Sequence, residues 1–343
     1  MKRITFIIPM YNVAPYIERC VLSIENQNLA DDEYEILLID DNSTDETISI
    51  VHRLQKKNKS IKILKGEKKL GAGGARNLGM RYAEGDYLWF IDADDYIFAN
   101  VTKSLLELAE KNFLNLLTFD IESVKVGERE NIESHFNPQL DLKCLDNGPS
   151  LYGKMSLLIE PVAYIIENTF IKKLHLQFDE NRFAEDIKFS HSLMMHATRA
   201  GNYQSKPYVY VHRLGSVERN NNPSHVTKTV KDKIYAVEGL KKMLDSSISK
   251  NISQQTLDKM NKYIDYHLFF ALLRVGKSNF SFLEICRMYA DVKNSKLLPI
   301  RLFPSSDYPQ FRWRALRIFV NTSWLFIPLS FAVSLAFKFR NRK

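Results

Sequence analysis

Cysteine is scarce in this sequence, and its three copies lie far apart. Cys20, Cys144 and Cys286 form no CxxC pair and accompany no cluster of histidines. This spacing argues against a disulfide framework and a zinc site, and it favours a reducing, cytoplasmic setting. We expect no signal peptide either, because the first apolar run, residues 4–8, is short and is ended by Pro9.

Sequence motifs of nucleic-acid-binding proteins are also absent. The chain has 343 residues, 45% hydrophobic and 26% charged, which is typical of a globular protein with one large domain or two modest ones. Its net charge of +8 is compatible with nucleic acid, a membrane surface or phosphate-bearing substrates as partner. No paired zinc ligands, RNP sequence or basic-zipper heptad accompanies that charge, so we predict that nucleic acid is not the partner.

The first hundred residues alternate between strand and helix patterns. Short apolar runs predict strands at Thr5–Ile8, Glu35–Ile39, Ile61–Leu64, Tyr87–Ile91 and, further on, Leu116–Ile121. Helical patterns follow Pro15, the Ser43–Glu46 segment with its capping-box spacing, and Ala75, and they return over residues 226–293. This alternation is typical of an α/β sheet with right-handed crossovers, in which ligands bind beyond the carboxyl ends of the strands.

Acidic residues follow two of these predicted strands. Asp92, Asp94 and Asp95 come directly after the fourth strand, and Asp40 and Asp41 end the second. Three carboxylates so close together repel one another unless a cation or a hydrogen-bonding ligand offsets their charge. Mg²⁺ and Mn²⁺ prefer oxygen ligands and complete their coordination with substrate phosphates and water. The cluster therefore predicts a divalent-metal site for a diphosphate substrate, although a polar turn uses the same residue types.

Two more side chains are expected at the same edge of the sheet. Asp41 is a candidate to accept a hydrogen bond from a nucleotide base, and Arg76 is placed to reach phosphate or base. Gly71, Gly73 and Gly74 lie just before Arg76, where they would let the backbone approach a ligand closely. This run is not a dinucleotide fingerprint, because its third glycine is missing and it does not follow the first strand.

Four motifs occur in order along this part of the chain. They are Ile7–Asn12 (IIPMYN), Leu38–Asp45 (LIDDNSTD), Gly71–Gly79 (GAGGARNLG) and Trp89–Tyr96 (WFIDADDY). Together they closely resemble the family 2 glycosyltransferases, strongly over residues 3–100 and more loosely as far as residue 217. The resemblance implies a GT-A fold, which is a Rossmann-like mixed α/β sheet, and an inverting reaction. It also implies a nucleotide-diphosphate-sugar donor, usually a UDP-sugar.

The resemblance assigns roles to individual residues. The donor-binding positions it implies are Pro9, Tyr11, Asn12, Asp41, Arg76 and Asp92. Asp92-Ala93-Asp94 matches the family's DxD element, with Asp94 and its neighbour Asp95 as ligands of Mn²⁺ or Mg²⁺. Phe183–Phe189 (FAEDIKF) resembles the later ED motif, in which Asp186 deprotonates the acceptor hydroxyl and Glu185 helps to bind it. An ordinary helix N-terminus would also favour acids there.

A stretch of twenty residues near the C-terminus, 318–337, carries no charge. It is long enough to span a bilayer, but polar residues interrupt it and basic residues flank both of its ends. A helix lying on the anionic cytoplasmic leaflet, anchored by Trp324 and several phenylalanines, explains this pattern best. A spanning helix ranks second, and a buried helix or dimer interface third. On the first interpretation the protein is peripheral on the cytoplasmic membrane, and a lipid-linked saccharide becomes the favoured acceptor.

The predicted organisation has three parts: a GT-A catalytic domain over residues 1–217, a helical region over 218–300 and a membrane-associating tail over 301–343. Within the first, residues 1–97 form the nucleotide-binding half and 98–217 the acceptor half. We predict an enzyme of cell-surface polysaccharide or glycoconjugate synthesis. One alternative is a nucleotide-sugar-binding or carbohydrate-binding relative that has lost catalysis. Another is a sugar nucleotidyltransferase, whose glycine-rich loop would follow the first strand.

Overall fold

Two compact units make up the chain. The computed structural model describes residues 2–125, 142–155, 159–212, 222–246, 252–301 and 310–340. Residues 1–181 and 185–214 form the first unit, and residues 182–184 and 215–343 form the second. The domain boundary predicted at residue 217 lies outside the described residues, as do residues 302–309 and 341–343 of the predicted tail.

One mixed sheet organises the first unit. Its described strands are β1 (Ile4–Met10), β2 (Tyr34–Asp40), β3 (Ile61–Lys65), β4 (Tyr87–Phe90), β5 (Tyr96–Ile97), β6 (Leu116–Lys125), β7 (Leu142–Asp146), β8 (Tyr164–Glu167) and β9 (Ala200–His212). They lie in the order β3-β2-β1-β4-β8-β6-β9-β5, and β7 also pairs with β9. The strands β1 to β4 run parallel, whereas β8 runs antiparallel to both β4 and β6. The predicted mixed α/β fold class is confirmed.

Helices cover the sheet and form the regular secondary structure of the described part of the second unit. The first unit contains α1 (Ile17–Glu25), α2 (Thr47–Lys57), α3 (Gly71–Tyr82), α4 (Thr102–Lys111), α5 (Gly148–Lys154), α6 (Asn168–Leu174) and α7 (Asp186–His196). The second contains α8 (Pro223–Leu244), α9 (Gln254–Arg274), α10 (Phe282–Asn294), α11 (Gln310–Asn321) and α12 (Ser323–Arg340). The helical C-terminal extension is therefore also confirmed.

Strand β2 shows why the strands of the sheet could be predicted from apolar runs in the sequence. All seven of its residues are buried, as expected for a parallel strand covered on both faces. Glu35, one of two acidic residues in this strand, accepts hydrogen bonds from the Thr5 hydroxyl and the Glu84 amide, both at 2.7 Å. The Lys62 ammonium lies 2.9 Å from the same carboxylate. The buried charge is thus compensated, and the strand stays continuous in the core.

Two helix starts differ from the prediction. The expected capping box at Ser43–Glu46 is absent: α2 begins at Thr47, and the Asp45 carboxylate accepts the Thr47 amide at 3.0 Å. The Ser43 hydroxyl is used elsewhere, because it accepts the backbone N–H of Asn12 at 3.1 Å. Helix α3 begins at Gly71, so the glycine run forms its first turn and is not a loop ahead of it.

The uncharged C-terminal stretch is also not one helix, because α11 ends at Asn321 and α12 begins at Ser323. Of the helices in the described ranges, none alone is long and apolar enough to cross a bilayer. Trp313–Asn321 and Ser323–Ala336 pass that test only as a pair, and the pair is bent by 101° at its junction.

Candidate active site

Hydrogen bonds join the loops that follow β1 and β2. Asn12 takes a left-handed conformation with φ of 52°, and its side-chain oxygen accepts the Thr44 amide at 2.8 Å. In return the Asn12 amide donates to the Ser43 hydroxyl. The Asp41 amide donates to the Met10 carbonyl at 2.8 Å. These bonds hold the predicted first donor loop beside the predicted base-contacting aspartate.

Asp41 anchors the start of α3. Its two carboxylate oxygens accept the backbone N–H groups of Leu70 and Gly71, the latter at 3.0 Å. Gly71 has a φ of +70°, a conformation that favours glycine. The start of α3 therefore requires glycine at this position. A base contact by Asp41 stays a prediction, and here its carboxylate already binds two backbone amides.

Tyr11 offers an exposed aromatic face on the first loop. Tyr11 is 44% exposed, and the Lys69 ammonium lies 3.5 Å from the centroid of its ring. This is a cation–π contact. An aromatic face beside a flexible cation suits a ligand that has both a planar base and phosphates. The motifs predict Tyr11 as a donor residue but not Lys69, which lies in a run of lysines without a distinguishing pattern. Pro9, the other predicted donor residue here, lies within β1 opposite Ile39.

Arg76 is the centre of the site. Its side chain is buried, and one guanidinium nitrogen lies 2.8 Å from an Asp92 oxygen while the other lies 2.7 Å from a Glu185 oxygen. These carboxylates come from the predicted DxD and ED motifs, which are far apart in the sequence. A planar, permanently charged guanidinium is suited to joining two carboxylates. One residue of α3 therefore holds the two motifs together.

Helix α3 also packs against the loop that leads to the ED motif. Asn77 exchanges two hydrogen bonds with the backbone of Phe178, at 2.8 and 3.0 Å. A Cβ atom on Gly73 would lie 2.5 Å from the Asp179 carbonyl oxygen and 3.0 Å from Cγ of Glu185. Gly73 was predicted to let a ligand approach, but here the Asp179 carbonyl and the Glu185 side chain occupy the space that its own side chain would fill.

Asp186 is the first residue of α7 and follows a left-handed turn at Ala184, whose φ is 59°. Burial, and then the negative charge of Glu185, raises the pKa of Asp186 to about 7, while the Arg76 guanidinium acts against that rise. A carboxyl group with a pKa near neutrality can both take up and release a proton at physiological pH. This is the chemistry that its predicted role as a base requires.

Asp95 directly follows the DxD element in the sequence. It is fully buried, and its two oxygens accept the Tyr208 hydroxyl at 2.6 Å and the Val211 amide at 2.8 Å. Burial, and then the charges of Asp92 and Asp94, raises the pKa of Asp95 to about 8. Both oxygens bind β9, so this placement does not favour a metal ligand, and that role stays a prediction. Sequence spacing does not predict the hydrogen bond between Asp95 and Tyr208.

Asp92 and Asp94 are the carboxylates best placed for a cation. Both are half-buried, and the Asp94 carbonyl is held by the Arg19 guanidinium at 2.8 Å. Within the described ranges, no three Asp, Glu, His or Cys side chains converge as a metal cluster. Mg²⁺ and Mn²⁺ need only one or two carboxylates when substrate phosphates and water supply the rest. The residues present therefore fit a metal that arrives with a diphosphate.

The parallel strands bring these parts to one edge of the sheet. The first loop, Asp41 and the DxD element follow β1, β2 and β4, which run side by side in the same direction. Arg76 adds Glu185, and with it the adjacent Asp186, to this edge. The arrangement can hold a nucleotide diphosphate next to a carboxylate of raised pKa.

Known proteins share this sequence pattern. The profile of Glycosyl transferase family 2 matches residues 5–165. The uncharacterized glycosyltransferase EpsJ of Bacillus subtilis is 29% identical over 214 residues, which is 60% of each chain. The Staphylococcus aureus poly(ribitol-phosphate) beta-N-acetylglucosaminyltransferase TarS is 27% identical over 213 residues, 61% of this chain and 35% of TarS. A Campylobacter jejuni GalNAc(5)-diNAcBac-PP-undecaprenol beta-1,3-glucosyltransferase is 33% identical over 117 residues, 34% of this chain and 37% of that enzyme. The chain thus matches less than two thirds of the length of each of these relatives.

The fold is likewise shared. The crystal structure of S. aureus TarS residues 1–349 in complex with UDP-GlcNAc superimposes with a TM-score of 0.61. The superposition covers 98% of this chain and 92% of that one at 19% identity, so it shows the common GT-A fold alone. The profile match, the order of the four motifs and the fold agree. Over residues 5–165, the chain thus matches glycosyl transferase family 2.

Proposed function

We propose that the protein is an inverting glycosyltransferase that moves a sugar from a nucleotide-diphosphate donor to an acceptor hydroxyl. The match of residues 5–165 to glycosyl transferase family 2 supports the reaction class. The observation that carries the proposal is the bridge by Arg76, whose guanidinium binds Asp92 and Glu185 at 2.8 and 2.7 Å. A transferase must hold donor and acceptor side by side, and this bridge joins the motifs expected to bind each of them.

The proposed reaction is a single displacement at the anomeric carbon of the sugar. The acceptor oxygen forms a bond to that carbon as the bond to the diphosphate breaks, and the electron pair leaves with the nucleoside diphosphate. Asp186 takes the hydroxyl proton, which its raised pKa of about 7 allows near neutral pH. Glu185, held by Arg76, positions the acceptor beside it.

A divalent cation belongs to this proposal, with Asp94 and the neighbouring carboxylate of Asp92 as the residues that would hold it. Mn²⁺ or Mg²⁺ would neutralise the negative charge that grows on the diphosphate leaving group. Arg76 keeps one oxygen of Asp92 in place, and the Arg19 bond to the Asp94 carbonyl fixes the loop between them.

The relatives guide the choice of donor and acceptor. TarS was crystallised with UDP-GlcNAc, so we propose a UDP-sugar as donor. The name of the C. jejuni relative specifies an undecaprenyl-diphosphate-linked acceptor, and TarS acts on poly(ribitol-phosphate). We propose a saccharide acceptor that is lipid-linked, used in cell-surface polysaccharide synthesis. The predicted cytoplasmic location, peripheral on the membrane, is part of the same proposal.

Nucleotide release from UDP-, GDP- and dTDP-sugars, with and without Mn²⁺, tests the proposal. We expect metal-dependent release from one donor class, which Asp94→Ala abolishes. Asp186→Asn should lose transfer to an acceptor while still binding the donor in calorimetry. Asp31→Ala, at an exposed aspartate outside the site, is the matched control and should behave as the wild type.

The competing functions predict different results. A binding protein without catalysis would bind one nucleotide sugar but release no nucleotide, even when lipid extract supplies an acceptor. A nucleotidyltransferase would instead form a nucleotide sugar from a sugar phosphate and a nucleoside triphosphate. Either result would overturn the proposed transfer.

A further inference from the structure

Helix α12 presents apolar side chains on its exposed side as well as on the side that packs against the protein. From residue 324 to residue 336 every exposed side chain is apolar. Trp324, Leu329 and Val333 are 73%, 51% and 54% exposed, whereas Ser330 and Ser334 are buried. The exposed side of α12 thus differs from that of a surface helix in water, whose solvent-facing side is polar. Contiguous exposed apolar side chains of this kind mark a surface that meets a partner or a membrane.

Packing within the second unit fixes this orientation. The Ser334 hydroxyl donates to the Ser278 carbonyl at 2.8 Å. A Cβ atom on Gly276 would lie 2.8 Å from Cγ1 of Val333, so the helix comes close to the backbone there. The buried serine is therefore satisfied, and rotating α12 to hide its apolar side would break that bond.

The charge of this region identifies the partner. Residues 308–343 contain seven Arg and Lys residues and no Asp or Glu, whereas the other 307 residues contain 41 basic and 40 acidic ones. Nearly the whole net charge of +8 thus belongs to the last two helices and their flanks. A second copy of the chain would bring the same positive charge to the interface and be repelled. An anionic lipid surface supplies both an apolar layer and negative headgroups.

We propose that α11 and α12 dock on an anionic bilayer, with the exposed apolar side of α12 entering the boundary between headgroups and acyl chains. Trp324 lies near the start of α12, and tryptophan favours this boundary. The 101° bend between the helices suits a pair that lies on the surface. The proposal deepens the proposed function by naming its membrane partner, but docking itself requires no catalysis.

Co-sedimentation of the full chain with vesicles tests this docking. We expect binding to phosphatidylcholine vesicles that contain phosphatidylglycerol and little binding to phosphatidylcholine alone. Binding should weaken as salt is raised from about 0.15 M to about 1 M, since headgroup attraction is screened. Emission from Trp324 should shift to shorter wavelength on binding, and Trp324→Phe should remove that shift.

Two sets of variants separate the apolar and the electrostatic contributions. Trp324→Gln/Leu329→Gln/Val333→Gln should lower the vesicle partition coefficient by more than about tenfold, because three apolar side chains no longer enter the boundary. Leu22→Gln/Tyr82→Gln/Phe113→Gln removes three exposed apolar side chains from the first unit and serves as the matched control, with unchanged binding expected.

Arg312→Gln/Arg314→Gln/Arg317→Gln should weaken binding by about a hundredfold, since each basic residue near an anionic surface contributes about fivefold. The catalytic variant Asp94→Ala should bind vesicles as the wild type does. Failure of the transfer reaction and failure of docking are therefore distinguishable.

Several outcomes would overturn the proposal. One is equal binding of the α12 triple variant and the wild type. Another is binding to neutral and anionic vesicles alike, or to neither. A third is self-association in sedimentation velocity without lipid that the α12 substitutions abolish, which would show that a second copy covers this side. Circular dichroism checks that each of these variants remains folded.

Discussion

Replacing Arg76 with alanine should destabilise the first unit more than any other single charge removal at the site. The guanidinium is buried and binds Glu185 and Asp92. In Arg76→Ala the two carboxylates lose their shared cation while remaining in place. Removing one member of a buried ion pair is costly because it leaves the other charge uncompensated.

The two ion pairs contribute unequally. The Glu185 side chain is 15% exposed, so its pair with Arg76 counts as buried, and breaking a buried pair costs about 3–5 kcal/mol. The Asp92 side chain is 36% exposed, so water screens its pair, and such pairs contribute under about 1 kcal/mol. We therefore expect a loss of about 3–5 kcal/mol, which lowers Tm by about 6–20 °C for a unit of this size.

Urea unfolding followed by tryptophan fluorescence measures this loss in the first unit alone. Trp89 lies buried in β4, whereas Trp313 and Trp324 belong to the second unit, so Trp313→Phe/Trp324→Phe leaves a single reporter. Arg53→Ala is the matched control. Its 3.7 Å contact with Glu18 is exposed on both sides, and we expect a change below about 0.5 kcal/mol.

A second substitution isolates the cause. Arg76→Ala/Glu185→Gln removes the stranded charge, so it should recover a large part of the lost stability. The reasoning is refuted if Arg76→Ala costs no more than the Arg53→Ala control. It is also refuted if the double variant is as unstable as Arg76→Ala, because a cavity rather than a stranded carboxylate would then explain the loss.

Three further predictions concern the same site. The kcat/KM of sugar transfer should rise with pH through about 7. The ionised carboxylate of Asp186 is the form that accepts the proton, and the pKa of this group is raised to about 7. Glu185→Gln removes a neighbouring negative charge and should move this limb of the kcat/KM profile to lower pH. Tyr208→Phe should lower the unfolding free energy by about 1–3 kcal/mol in urea titration, because it leaves an oxygen of Asp95 without its donor. A loss no larger than that of Tyr164→Phe, which breaks one bond to a hydroxyl, would contradict this. Gly73→Ala should reduce stability and transfer although alanine favours helices by about 1 kcal/mol, since its methyl group would meet a carbonyl oxygen at 2.5 Å. Ala72→Ser, at the exposed neighbouring position, should change neither.

The sheet was predictable because its parallel strands are buried on both faces. Runs such as residues 35–39 stay apolar without interruption, and the matching strand β2 is buried throughout. Strand β5 escaped prediction because it has only two residues, Tyr96 and Ile97, and exists through its pairing with β9. Local pattern alone does not reveal a strand that depends on a partner distant in sequence.

The candidate site was predictable in its residue types but not in its contacts. The motifs identify Asp92, Asp95 and Arg76, yet they do not tell which carboxylate faces a ligand. In the structure Asp95 points to Tyr208 on β9, and Arg76 binds two carboxylates of the protein. Both outcomes depend on how separate parts of the chain pack, and sequence spacing carries no record of that packing.

One face of α3 explains how the two motifs come together. Gly73 and Arg76 are three residues apart and are therefore neighbours on the same side of the helix. The missing side chain of Gly73 lets the loop before α7 come within contact distance, which brings Glu185 to the guanidinium of Arg76. If this is the cause, Gly73→Ala displaces Glu185 and already loses much of that ion pair. The stability losses of Gly73→Ala and Arg76→Ala should then be less than additive in the double variant, whereas independent effects would sum.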